Sequence, residues 1–141
     1  MTITVLGTPA PQGSKEFKGM SRTGHAIMVD DCKRLKPWRE SVVWAVREAR
    51  ARDIFNGWFE CPIRVGVDFY LPRPKSAPKR IIRPVRKPDL DKLVRGVFDA
   101  LTIAGLIEDD ARVVSLRTDK WFCGPDAALD VPGAVITVEA I

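Results

Sequence analysis

The feature that most constrains this 141-residue chain is a run of apolar residues at helical spacing. Leu90, Leu93, Val94, Val97, Phe98 and Leu101 fall at i, i+3, i+4, i+7, i+8 and i+11, which puts them on one continuous face of a helix. Asp89 stands where an N-cap carboxylate accepts from free backbone N–H groups, and Gly105 is a natural terminator. A helix is therefore expected over 89–105. Gly96 inside it gives up about 1 kcal/mol relative to Ala, which a close backbone approach would offset.

Other elements follow from periodicity. Val65, Val67, Phe69 and Leu71 alternate with Arg64, Gly66, Asp68 and Tyr70, a strand with one buried and one polar face. Asp68 lies on the polar face and reads as a solvated carboxylate. Thr2 to Leu6 is a short strand ended by Gly7 and the Pro9/Pro11 pair. Pro37 suits a first helical turn, followed by Trp38, Val42, Ala45, Val46 and Ala49 at helical spacing. Trp38 and Trp44 both invite a base-stacking reading, but Trp38 beside the valines reads as core. Asn56-Gly57 breaks the chain. Arg112 to Phe122 and Ala134 to Ile141 are strand-like, with Gly124-Pro125-Asp126 turning between them. Gln12 to Asp31 has weak periodicity and reads as a loop, either a mobile surface or a DNA contact. The order β-α-β-α-β-β predicts one α+β domain over 1–141, a small mixed β-sheet with two main helices on one face.

Composition narrows the chemistry. A hydrophobic share of 45% argues for a folded globule. Cys32, Cys61 and Cys123 form no C-x-x-C pair, and His25 is the single histidine, so nitrogen–sulfur zinc chemistry is disfavoured. A catalytic metal would sit on carboxylates, which favours Mg²⁺, with Mn²⁺ as substitute. The N-terminus has no leader pattern and no stretch is long and apolar enough for a membrane span, so a cytoplasmic protein is expected.

Charge is concentrated in the proline-rich segment 73–88. Arg73, Lys75, Lys79, Arg80, Arg83, Arg86 and Lys87 accompany Pro74, Pro78, Pro84 and Pro88, with no acidic residue. The chain carries a net charge of +5, so everything outside this segment is net negative. Prolines prevent pairing as a central strand. A cationic arm of this kind is either a solvated surface or a grip on a phosphate backbone. Lys15, Lys18, Lys92, Arg117 and Lys120 join it as candidate DNA contacts.

Directly after the arm come Asp89 and Asp91, flanking Leu90. If the chain is still extended there, both carboxylates project one way. Mg²⁺ typically needs only one or two carboxylates besides water and a substrate phosphate. The plainer alternative is structural: an N-cap Asp, and Asp91, Arg95 and Asp99 as a salt-bridged outer face. The Glu108-Asp109-Asp110 cluster beyond the helix strengthens the metal reading.

Pro88-Asp89-Leu90-Asp91-Lys92-Leu93, Arg95, Phe98-Asp99-Ala100-Leu101, Gly105-Leu106 and Asp109-Asp110 before Val113-Val114 resemble the RusA family of Holliday-junction resolvases. The opening Gly7-Thr8-Pro9-Ala10-Pro11-Gln12-Gly13-Ser14-Lys15 is similar to phage-type members. The resemblance implies a homodimer that binds four-way DNA junctions and cuts opposed strands with Mg²⁺, leaving ligatable ends. It implies a setting in recombination or repair, in a bacterial or phage-infected cell. It also carries the family's essential aspartates onto Asp89, Asp91 and Asp110 as metal-site residues. Two positions depart from the family pattern. Lys92 replaces a common Asn, and Arg95 replaces an essential lysine. Arginine keeps the charge but is too basic for general-base work, so Arg95 is expected to stabilise transition-state charge as a catalytic residue. The alternatives are a branched-DNA-binding protein without cleavage and a less selective flap or duplex nuclease.

Independently of the family, Asp91 opens the helix and Asp110 lies past its end, with about 14 helical residues spanning ~21 Å. Asp110 is therefore expected to serve a partner's site.

Overall fold

The computed structural model describes residues 1–13, 15–30, 33–53 and 59–141, with the side chains of 15–18 and 27–30 outside the description. The elements are β1 (Thr2–Leu6), β2 (Lys15–Met20), β3 (Ala26–Asp30), α1 (Leu35–Arg52), β4 (Ile63–Leu71), α2 (Leu90–Ile103), a short 3-10 turn (Asp110–Arg112), β5 (Val113–Phe122) and β6 (Gly133–Ala140). Four strands form one mixed sheet in the order β1-β6-β4-β5. β6 is antiparallel to both β1 and β4, whereas β4 and β5 are parallel. That parallel pair needs a long connection, and the arm plus α2 supply it. The fold is α+β, as the sequence predicts.

One expectation needs correction. Residues 15–30 are not an irregular loop but an antiparallel hairpin, β2 with β3, forming a separate two-stranded sheet. It closes through Ser21, whose N–H donates to the His25 carbonyl at 2.7 Å and whose carbonyl accepts from Gly24 N–H at 3.0 Å. The element order is thus β-β-β-α-β-α-β-β. Cys32 and the Asn56-Gly57 break lie outside the described residues.

The core joins the inward face of β4 (Val65, Val67, Phe69) to Trp38, Val42 and Val46 of α1 and to Leu93, Val97 and Leu101 of α2. Trp38 is 2% exposed, whereas Trp44 is 71% exposed on the opposite side of α1. Pro37 sits within the first turn of α1, which begins two residues earlier than expected. α2 ends in a Schellman arrangement: Gly105 adopts φ +72°, its N–H donates to Thr102 O, and Leu106 N–H donates to Leu101 O. The glycine inside α2 has the reason expected of it. A Cβ at Gly96 would stand 3.3 Å from Leu35 Cδ1 and 3.5 Å from the Ala10 carbonyl oxygen. The loop after β1 therefore lies against α2, where Gln12 N–H also donates to Lys92 O at 2.9 Å. No helix among the described residues is long and apolar enough to cross a membrane.

Candidate metal centre and nucleic-acid interface

Asp89 occupies the N-cap of α2 in an extended conformation (φ −70°, ψ 138°), but its side chain makes no capping hydrogen bond. Its carboxylate instead lies 3.7 Å from Lys92 Nζ and remains about half exposed. Asp91 in the first turn is exposed, and so is Arg95 one turn further on. Asp99 pairs with Arg39 at 3.7 Å rather than with Arg95. Among the described residues Asp91, Arg95 and Asp99 form no salt-bridge ladder, so Asp91 and Arg95 are not consumed in stabilising the helix surface.

At the other end of α2 the acidic cluster sorts itself by partner. Glu108 accepts from Arg112 Nε at 2.9 Å and from its Nη2. That hydrogen bond, with Glu108's negative charge, raises the Arg112 pKa. Asp109 Oδ1 caps the 3-10 turn by accepting from Ala111 N–H at 2.8 Å. Asp110 is left exposed, its carboxylate without a hydrogen bond or ion pair among the described residues. With Asp99, Thr102, Ile103 and Asp109 it lines a shallow recess beside the end of α2.

Two rulers separate Asp110 from Asp89 and Asp91. α2 has 14 residues, about 21 Å of axis. Lys120 Nζ donates to the Pro88 carbonyl at 3.0 Å, tying the far end of β5 to the motif. From Val113 to Lys120 is about 23 Å of strand, and Asp110 precedes Val113. No group of three or more acidic, histidine or cysteine side chains among the described residues is arranged to hold a metal ion. One chain presents two exposed carboxylates at one end of α2 and, among the described residues, a single unpartnered carboxylate at the other. Asp89 is extended and Asp91 is already in the first helical turn, so the extended geometry expected of the motif stops at Asp89. An exposed pair of hard oxygen donors suits Mg²⁺, which retains several waters.

The basic arm is strapped down rather than free. Arg83 bonds Asp119 Oδ1 at 2.8 Å and lies over the Trp121 ring at 3.5 Å. Trp121 Nε1 in turn donates to Asp68 Oδ1 at 3.3 Å, so Asp68 has a partner besides solvent. Lys120, on the alternate face of β5, donates to Arg86 O and Pro88 O, both at 3.0 Å. The arm thus wraps the C-terminal end of β5. Arg73 donates to Pro78 O at 2.8 Å and stacks over Phe122 at 4.9 Å. Lys75, Lys79, Arg80, Arg86, Lys87 and Arg117 are exposed, while Lys92 faces Asp89. Lys15 and Lys18 fall on β2, with side chains outside the described residues. Sequence reasoning did not single out Asp119 and Trp121 as anchors, because nothing local marks a contact with Arg83 made 36 and 38 residues along the chain.

Comparison with known proteins identifies the family. A family model described as Endodeoxyribonuclease RusA matches residues 7–139. The Bacillus subtilis (strain 168) protein named "Uncharacterized protein YqaN" is 34% identical over 130 residues, covering 85% of this chain and 86% of that protein. With nearly its whole length matched, the chain belongs to the RusA endodeoxyribonuclease family.

Proposed function

We propose that this protein is a Mg²⁺-dependent endonuclease that resolves four-way DNA junctions as a homodimer. In this reading each active site combines Asp89, Asp91 and Arg95 of one subunit with Asp110 of the other. The observation that carries it is the opposite-end arrangement of the aspartates. Three carboxylates that have no structural partner in common, set at two ends of one helix, complete a site only when two copies lie antiparallel.

The edge of the sheet offers a way to do this. β5 is an edge strand, and its register with β4 (Val65 with Leu116, Val67 with Thr118) puts Leu116 on the helix-covered face. There Leu116 is 46% exposed; Val114, at the bulge in the pairing with β4, is 63% exposed, and Ile103 of α2 is 53% exposed. A long edge with apolar side chains is a template for pairing. The arm covers β5 near residues 119–121, leaving 113–118 for a second β5 running antiparallel about a two-fold axis. Such pairing brings Asp110 opposite the partner subunit's arm and Asp89.

When bound, Mg²⁺ supplies Lewis-acid activation of water and neutralises charge on the phosphate. The chain's own residues do the rest. Asp89 and Asp91 of one subunit and Asp110 of the other would provide the oxygen ligands. Arg95, exposed one turn into α2, meets the extra negative charge as water adds to phosphorus and the ester oxygen leaves. Exposed arm cations hold the flanking backbone. The test is a synthetic four-way junction beside a matched linear duplex, with Mg²⁺ or EDTA. Paired opposed nicks in the junction, abolished by EDTA and by Asp91→Asn, are expected. Junction binding without cutting would refute the nuclease and favour a DNA-binding protein, the reading that Arg95 in place of lysine keeps open.

A further inference from the structure

Between the arm and the body of the domain lies a cavity of about 380 Å³. Leu71 and Phe122, at the ends of β4 and β5, meet Ile81 and Val85 of the arm across it. Among the described residues its charged lining groups are Arg34, Arg86 and Lys87, with no carboxylate among them. Pro88 forms part of the wall, so the cavity adjoins Asp89 directly. The contacts of Lys120 and Arg83 hold the arm in place over it.

Apolar walls with a wholly cationic set of charged groups suit a ligand that is both apolar and anionic. The volume falls within the range of small-ligand sites, about 300–1,000 Å³. A single nucleotide meets each condition. We infer that this cavity receives one unstacked nucleobase of the DNA, beside the phosphate to be cut, with Arg34, Arg86 and Lys87 facing its phosphates. The Phe122 ring, with Arg73 stacked over one face, leaves its other face as a surface on which any base stacks. The inference rests on the nuclease reading and gives it a source of selectivity. A base in continuous duplex must be unpaired and unstacked before it enters, whereas at a branch point that penalty is smallest.

The test places 2-aminopurine at successive positions around the crossing of a synthetic junction and titrates in Asp91→Asn protein with Mg²⁺. A second titration uses the same protein carrying Ala77→Trp, which fills the cavity from a turn of the arm. Ser76→Trp is the fallback should the first variant unfold. The expected result is one position whose emission changes on binding and reverts in the filled variant. In otherwise wild-type protein, Ala77→Trp is expected to slow junction cleavage at least tenfold while linear-duplex affinity stays within about threefold. Junction binding with no position sensitive to the filling would overturn the inference while leaving the nuclease intact. A cavity-dependent signal with a wild-type protein that never cuts would keep the base-binding cavity, remove its placement beside a cut phosphate and refute the nuclease.

Discussion

Lys120→Met separates two roles that a lysine beside a DNA-binding arm can have. The ammonium donates to two carbonyls, Arg86 O and Pro88 O, both at 3.0 Å. Methionine keeps most of the stem but leaves both acceptors without this donor. Hydrogen bonds to a charged group are worth about 1.5–3 kcal/mol. The Arg86 contact is exposed and replaceable by water, so roughly one such bond, the part-buried one to Pro88, sets the loss. For a domain of this size each kcal/mol moves Tm by about 3–4 °C, which gives an expected fall of roughly 5–10 °C. Because Pro88 precedes Asp89, junction cleavage should fall at least tenfold, mainly in kcat. If Lys120 instead served as a phosphate contact, Tm would hold and the slope of log K against log salt would drop by about 1. Differential scanning calorimetry and a salt series on the same variant distinguish the two. An unchanged Tm with a reduced salt slope would refute the strapping argument.

Other outcomes follow from the same contacts. Asp109→Ala removes the cap on Ala111 N–H and should cost about 1 kcal/mol by urea denaturation, with cleavage largely retained. Asp110→Asn should do the reverse, leaving stability within about 0.5 kcal/mol while abolishing cleavage. Arg83→Ala loses a part-exposed ion pair and a ring contact and should destabilise by about 1 kcal/mol; trypsin should then cut the arm faster. Trp38→Ala should cost about 3–5 kcal/mol, whereas Trp44→Lys should stay within about 0.5 kcal/mol.

The parts of the fold legible in the sequence are those whose side chains repeat against a single face. The six apolar positions of α2 and the alternation of β4 each answer to one buried layer, and both elements lie where their spacing places them. The β2–β3 hairpin escaped because its strands form their own two-stranded sheet, and Lys15-Glu16-Phe17-Lys18 offers no alternation to read. Its closing turn, Ser21-Arg22-Thr23-Gly24-His25, was the available signal. At the candidate site, the separation of Asp89 and Asp91 from the acidic cluster was readable, since helix length is fixed by residue number, whereas the choice of Asp110 within that cluster came from the family resemblance. The strap was not. Seven clustered cations look alike in sequence, and only the three-dimensional neighbourhood of Asp119, Trp121 and Phe122 divides the anchored Arg83 and Arg73 from the others, all of them exposed. The cavity behind them was equally hidden, being made by segments far apart in the chain.

The most direct measurement mixes two inactive chains, Asp91→Asn and Asp110→Asn, lets subunits exchange, and assays nicking of a four-way junction with Mg²⁺. Each parent alone should be inactive. Sites shared across a two-fold axis leave every hybrid dimer with one intact site, roughly a quarter of the wild-type sites in a random mixture. The expected product is therefore single nicks without the paired cuts of the wild type. A mixture that stays inactive, although hybrids are demonstrated by mass spectrometry, would contradict the shared site.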